Sequence, residues 1–167
     1  RDDGARSLQY GVVTLKDVYS NLINLNQALV LYVEQSALKN SSKIIELTPQ
    51  AYTEKTQIDV YHEMVMLINK VNQLLKMNDV APIKVSDENH QKVALAKLYV
   101  LSGRAIDKLV ELMHKKNLRT TYGELYQAHY CLVNKTTNQV FAVVALASER
   151  LSLVHGITAE TNGEKKG

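Results

Sequence analysis

The spacing of apolar residues along the chain follows the period of an α-helix. Leu15, Val18, Leu22, Leu25, Leu29 and Tyr32 step by three and four positions, which lines them up on one face for nearly three heptads. The pattern predicts a first helix over about residues 15–38, ended by Asn40-Ser41-Ser42. A connector broken by Pro49 follows. Val60, Met64, Leu67, Val71 and Leu74 then form a second stripe, with Ile58, Tyr61, Val65, Ile68 and Leu75 beside it, and predict a helix with a wide buried face over about 57–78. Beyond Pro82, a third helix is expected over about 87–116. Ser86 precedes it, Asp87 and Glu88 suit the positive end of its dipole, and Leu95, Leu98, Ala105, Leu109 and Leu112 extend its face. A fourth is expected over about 122–154, with Gly156 as its stop and residues 158–167 as a frayed polar tail. No segment carries the alternation of a strand.

These elements predict an all-α, antiparallel (up-down-up-down) four-helix bundle over residues 1–157. One signal recurs at the expected helix starts. Thr14-Leu15-Lys16-Asp17-Val18-Tyr19, Thr56-Gln57-Ile58-Asp59-Val60-Tyr61 and Thr121-Tyr122-Gly123-Glu124-Leu125-Tyr126 share the pattern Thr-x-x-[Asp/Glu]-[Val/Leu]-Tyr. A threonine that accepts a free backbone N–H, with an acid three residues on, is a capped helix start worth about 1 kcal/mol. Three copies suggest duplication of a helical unit, although their irregular spacing does not fit a solenoid.

Composition narrows the classes. The 167 residues are the size of one domain and include 46% apolar and 22% charged residues, ordinary values for a globular chain that needs neither metal nor disulfide to fold. The single cysteine, Cys131, excludes an intramolecular disulfide and a cysteine metal cluster, and reads as a buried thiol. The formal charge is +3. Its densest basic stretch, Lys115-Lys116-Asn117-Leu118-Arg119, falls where a helix ends and cations meet the negative end of the dipole, so nucleic acid is not an expected partner. The longest unbroken apolar run, Phe141 to Ala147, is far below the ~20 residues of a membrane span, and none is expected. An Arg at position 1 fits cleavage from a precursor and favours an extracytoplasmic (periplasmic or secreted) address, with a truncated cytoplasmic chain as the alternative. The sequons at Asn40 and Asn134 carry no weight, the second because it falls inside the fourth expected helix.

The search for chemistry finds fragments of sites. Glu111-Leu112-Met113-His114 is one Glu-x-x-His pair, half of what a di-iron bundle needs, and the fourth helix offers no partner to it. A haem would need only axial ligands at matching depth. His129 and Met64, each eight residues past a capping threonine, would face each other across diagonal helices, which makes a haem- or metal-carrying bundle the alternative reading. No Gly-x-Ser-x-Gly, phosphate loop or His-Glu-x-x-His is present. More informative is a belt of polar residues on the apolar stripes. Asn72, Ser102 and Thr136 lie at one expected depth, with Asn21 and Asn24 near them, and must pair with each other, with water or with a ligand. Together with His129 they are the candidate ligand-binding residues. Nine Tyr against one Phe, with Tyr122, Tyr126 and Tyr130 spaced by four, mark a candidate interaction surface. The expected function is a non-enzymatic bundle module for protein interaction or small-ligand sensing, with no cofactor, an unknown protein or small-molecule partner, and homo-oligomerisation as one way to use the tyrosines.

Overall fold

The computed structural model describes residues 12–85, 93–129 and 133–166, and the side chains of all these except 159–166. The described residues are all-helical, with α1 (Leu15–Gln35), α2 (Ser41–Ile45), α3 (Gln57–Met77), α4 (Leu95–Lys115), α5 (Tyr122–Leu125) and α6 (Thr137–Lys166) and no strand among them. The first two long helices start where their capping boxes predict. The Thr14 and Thr56 hydroxyls accept from the N–H of Asp17 and Asp59, whose carboxylates accept from the threonine N–H in return. The hydrogen bonds from Thr56 hold the Asp59 carboxyl below its ordinary pKa.

The last two long helices start later than expected. α4 begins at Leu95, after Ala94, which has no side chain to cap it. The expected start at Ser86, with Asp87 and Glu88, lies outside the described residues. The motif at Thr121 opens only the single turn of α5, and the long helix starts at Thr136, whose N–H and hydroxyl form a capping box with Gln139. Gly156 does not stop this helix, and the expected frayed tail is helical through Lys166. A helix-interior glycine costs only about 1 kcal/mol, which a well-packed helix absorbs.

The shifted starts change the topology. The expected boundaries left 8 and 5 residues before the third and fourth helices, enough only to turn back antiparallel. The observed connections are residues 36–56, 78–94 and 116–136. A 21-residue helix is about 31 Å long, and even 17 extended residues reach ~55 Å, so each connection can run the whole length back. Each one does, and all four long helices point the same way. Contacts between neighbours pair like ends with like. Asn21 bonds Ser102 and Tyr99 near the starts of α1 and α4, and Gln35 bonds Arg119 at their ends. Gln57 meets Val93 at one end of α3 and α4, and Lys115 meets Asp79 at the other. Lys55 meets Asn138 before Lys70 meets Ser148 along α3 and α6, and Lys135 meets Tyr19 before Arg150 meets Asn26 along α1 and α6. The antiparallel expectation is therefore corrected to a parallel one. α1 and α3 each pack on α4 and α6, so the second and fourth long helices are direct neighbours and not a diagonal pair.

A repeat emerges from this arrangement. The residues before the four long helices, Thr14, Thr56, Ala94 and Thr136, are 42, 38 and 42 positions apart. Four positions on stand Val18, Val60, Leu98 and Val140, all buried, and next to each an aromatic ring, Tyr19, Tyr61, Tyr99 and Phe141. Twenty-three positions on, Ala37, Asp79 and Asn117 take positive φ just past their helices. At the latter two the next N–H closes back five residues, Val80 to Leu75 and Leu118 to Met113, in Schellman-type stops. The chain is thus built of helix-plus-return units.

One contiguous core runs through all four long helices and includes Leu22, Leu25, Leu29, Met64, Leu67, Ile68, Leu98, Ile106, Val144 and Leu151, each Leu, Ile or Met contributing roughly 1.5–3 kcal/mol by burial. The Phe141–Ala147 stretch of α6 is apolar on every side, and α1, α3 and the first return pack around α6. Its stretch Thr137–Thr158, with mean hydropathy 1.5, is long and apolar enough to cross a membrane, a property that the count of uninterrupted apolar residues missed. Most of that stretch is buried here, with the charged Arg150 inside it.

Candidate functional site

Extended returns expose peptide groups without ladder partners, and side chains of the long helices satisfy them. Asn72 on α3 donates to the Ile83 carbonyl at 2.9 Å and accepts its N–H at 2.7 Å, so one amide closes both bonds of a strand neighbour. Gln35 does the same for Arg119, at 2.6 Å each way. Asn24 donates to the Gln127 carbonyl and Asn138 accepts from the Lys55 N–H. Arg150 is the largest of these clasps. Only 6% exposed, it donates to the carbonyls of Ile44, Ile45 and Leu47 and to Asn26 Oδ1, at 2.8–3.1 Å. The Ile44 and Ile45 carbonyls end α2 and the Leu47 carbonyl lies just past it, so the negative end of that turn takes the place of a carboxylate counter-charge. Burial lowers the pKa of the guanidinium.

The expected polar belt does not form a layer. With the helices parallel, Asn72, Ser102 and Thr136 lie sixteen, eight and zero residues from their caps, so successive members are about 12 Å apart in depth. Asn72 holds a return, Ser102 bonds Asn21 and the Tyr99 carbonyl, and Thr136 is an exposed helix cap. His129 is not on a helix. It lies in the third return, where Nε2 donates to Asn24 Oδ1 at 2.9 Å, and the register that set it opposite Met64 is gone. Among the described residues no three His, Cys, Asp or Glu side chains gather as a metal site. Cys131 and Tyr130 lie outside the described residues. Asn134 is exposed and precedes α6, so the argument that a helix hides its sequon falls.

Lys70 Nζ reaches Ser148 Oγ at 2.6 Å, a pairing with the composition of a serine–lysine catalytic dyad. Ser148 is 2% exposed. The pair joins α3 to α6. The basic stretch at the end of α4 also works within the fold. Lys115 donates to the Asp79 carbonyl just beyond α3, and Lys116 lies 5.3 Å over the Tyr32 ring. Because α1, α3 and α4, each of 21 residues, end together, their negative dipole ends add, and cations there stabilise them.

The expected tyrosine surface is built differently from a helical ladder. Tyr122 and Tyr126 bracket the one-turn α5, about half exposed at 52% and 47%, with rings stacked 6.3 Å apart at 17°. Both hydroxyls are anchored to α4. Tyr122 bonds His114 Nε2 at 2.8 Å, and Tyr126 donates to Asp107 Oδ1 at 2.6 Å. His114 also bonds Thr120 and packs edge-on against Tyr122. Beside Asp107 opens a cavity of about 330 Å³ lined by Pro82, Ile83, Lys84, Arg104, Asp107 and Lys108. A second cavity, of about 420 Å³, lies at the other end of the helices between Tyr19, the first return and the start of α6.

Partial burial, and then the bond to the Asp107 carboxylate, push the Tyr126 hydroxyl pKa above its ordinary value. The fold therefore favours the protonated phenol. That contribution is complete below the ordinary tyrosine pKa of about 10 and is lost as pH rises towards the folded value. An absorbance titration of phenolate should show Tyr126 among the last tyrosines to ionise, and Tyr126→Phe should remove one alkaline-shifted group. Loss of a group titrating at the ordinary value would contradict the Asp107 bond.

No protein-family model, curated protein or solved structure matches this chain.

Proposed function

We propose that the chain is a non-enzymatic protein-interaction module, a four-helix bundle of parallel helix-plus-return units that presents the Tyr122–Tyr126 face to a protein partner. The stacked, half-exposed ring pair carries this reading. Exposed aromatics are the side chains that dominate binding energy at interfaces, the more so when they are held in place beforehand. Here two hydroxyl anchors and a stack fix both rings in the free protein. The adjoining cavity offers a seat for one partner side chain. Arg104 and Lys84, which have no ion-pair partner among the described residues, favour an acidic group near it.

The test is a photo-reactive amino acid at position 122 in the cells that make the protein, with Gln73, exposed on α3, as the control position. One discrete adduct at 122, absent at 73 and lost with Tyr126→Ser, is the expected result. Equal adducts at the two positions, or none at 122, would overturn the proposal.

A further inference from the structure

The 420 Å³ cavity is at the opposite end of the long helices from the tyrosine pair and has its own chemistry. Two rings line it, Tyr19 from α1 and Tyr52 from the first return, together with Gln50, Asn138 and Gln139 and the apolar Ala142 and Val143. The two amides on α6 are oriented by bonds that use their oxygens. Asn138 Oδ1 accepts the Lys55 N–H at 2.8 Å, and Gln139 Oε1 accepts the Thr136 N–H at 2.9 Å. An amide pinned by its oxygen presents its NH₂ group away from that partner. Neither nitrogen donates to another group among the described residues. Cations stand beside the rings, Lys135 Nζ at 4.5 Å over Tyr19 and Lys55 Nζ at 5.6 Å over Tyr52. No acidic side chain lines the cavity. The wall therefore offers amide donors and ring faces with two cations near the rings, and lacks an acid to repel an anion.

We propose that this cavity binds small aromatic carboxylates, the ring lying against Tyr19 and Tyr52 and the carboxylate accepting from the amide nitrogens of Asn138 and Gln139. A planar ring of six carbons with one carboxylate fits easily in the volume. A neutral ring would leave the amide donors without a charged acceptor, and a carboxylate without a ring would leave the tyrosine faces uncovered.

The test uses the whole chain and three probes: benzoate, benzyl alcohol and acetate. Benzoate titrated against the backbone amide signals of residues 136–143 should saturate with a dissociation constant of about 1 mM or tighter, as suits so small a ligand. Benzyl alcohol and acetate should each bind at least about tenfold more weakly. The variant Asn138→Asp with Gln139→Glu keeps both pinned oxygens and puts charge where the start of a helix favours it, so the fold is retained. It replaces the two NH₂ donors with negative oxygens, and should weaken benzoate by at least about tenfold. Tyr19→Leu should weaken benzoate while leaving acetate unchanged. Failure of benzoate to saturate the unaltered chain overturns the proposal without reference to any variant. Equal affinity for the three probes, or undiminished binding by the charge variant, overturns it as well. None of these results bears on the tyrosine pair at the other end.

Discussion

Replacing Arg150 with leucine is expected to lower the free energy of unfolding by about 3–5 kcal/mol, measured by urea denaturation, because it leaves several buried acceptors without donors at a cost of roughly 1–3 kcal/mol each. The stranded acceptors are the carbonyls of Ile44, Ile45 and Leu47 and the Oδ1 of Asn26. A leucine fills much of the volume, so packing loss is a minor part of the effect. Lysine should recover little. It offers one compact ammonium where four acceptors converge on a planar guanidinium. Hydrogen exchange would locate the damage, with faster exchange in α2 and the first return than in α4, which Arg150 does not touch. A loss under 1 kcal/mol would mean that the first return is held by its own apolar contacts, through Ile44 and the Tyr52–Phe141 ring pair.

Arg150 also shows what the sequence concealed. In the chain it follows the apolar run Phe141–Ala147 as part of the polar triplet Ser148-Glu149-Arg150, and a charge there suggests a solvated face. The groups that explain it are more than a hundred residues away, at 44–47 and at 26, and only the return path of the chain brings them to it. The helix faces, by contrast, could be read locally. Of the seam Leu15, Val18, Leu22, Leu25, Leu29 and Tyr32, all but the partly buried Leu15 are buried, and so are Val60, Met64, Leu67, Val71 and Leu74. The capping boxes were legible where they are spelled with threonine and aspartate. At Thr121 the same letters misled, because Gly123 and the polar Gln127-Ala128-His129 that follow provide no buried stripe to extend the turn. The true third and fourth starts are degenerate, with Ala94 in place of threonine and Gln139 in place of the acid. Glutamine closes a capping box as well as an acid does, so Thr136 could have been found, and with it the 42-residue spacing. Misplacing two starts shortened two connections, and short connections imply antiparallel neighbours. The orientation of the helices was thus lost through an error of some fifteen residues. The spacing of four between Tyr122 and Tyr126 reflects a single turn and not a long helix, and the polar belt was dissolved by the same displaced boundaries.

If side-chain amides are what hold the extended returns, their removal should cost stability in proportion to burial. Asn72 and Gln35 make the same two bonds to a return, one to Ile83 and one to Arg119. Their surroundings differ. Ile83 is 5% exposed, whereas Arg119 is an exposed residue whose peptide groups can turn to water. Asn72→Leu strands a buried N–H and a buried carbonyl, and should cost about 2–4 kcal/mol in urea unfolding. Gln35→Leu should cost less than about 1 kcal/mol, since water replaces the lost partner. Asn72→Asp discriminates further. It keeps an acceptor for the Ile83 N–H but turns the donor that faced the Ile83 carbonyl into a negative oxygen. It should therefore be no better than leucine at neutral pH, and should recover stability in acid as the carboxyl protonates and regains a hydrogen to donate. Equal losses at positions 72 and 35 would show that the returns are fixed by their apolar residues, and that the amides only follow where packing has already placed the chain.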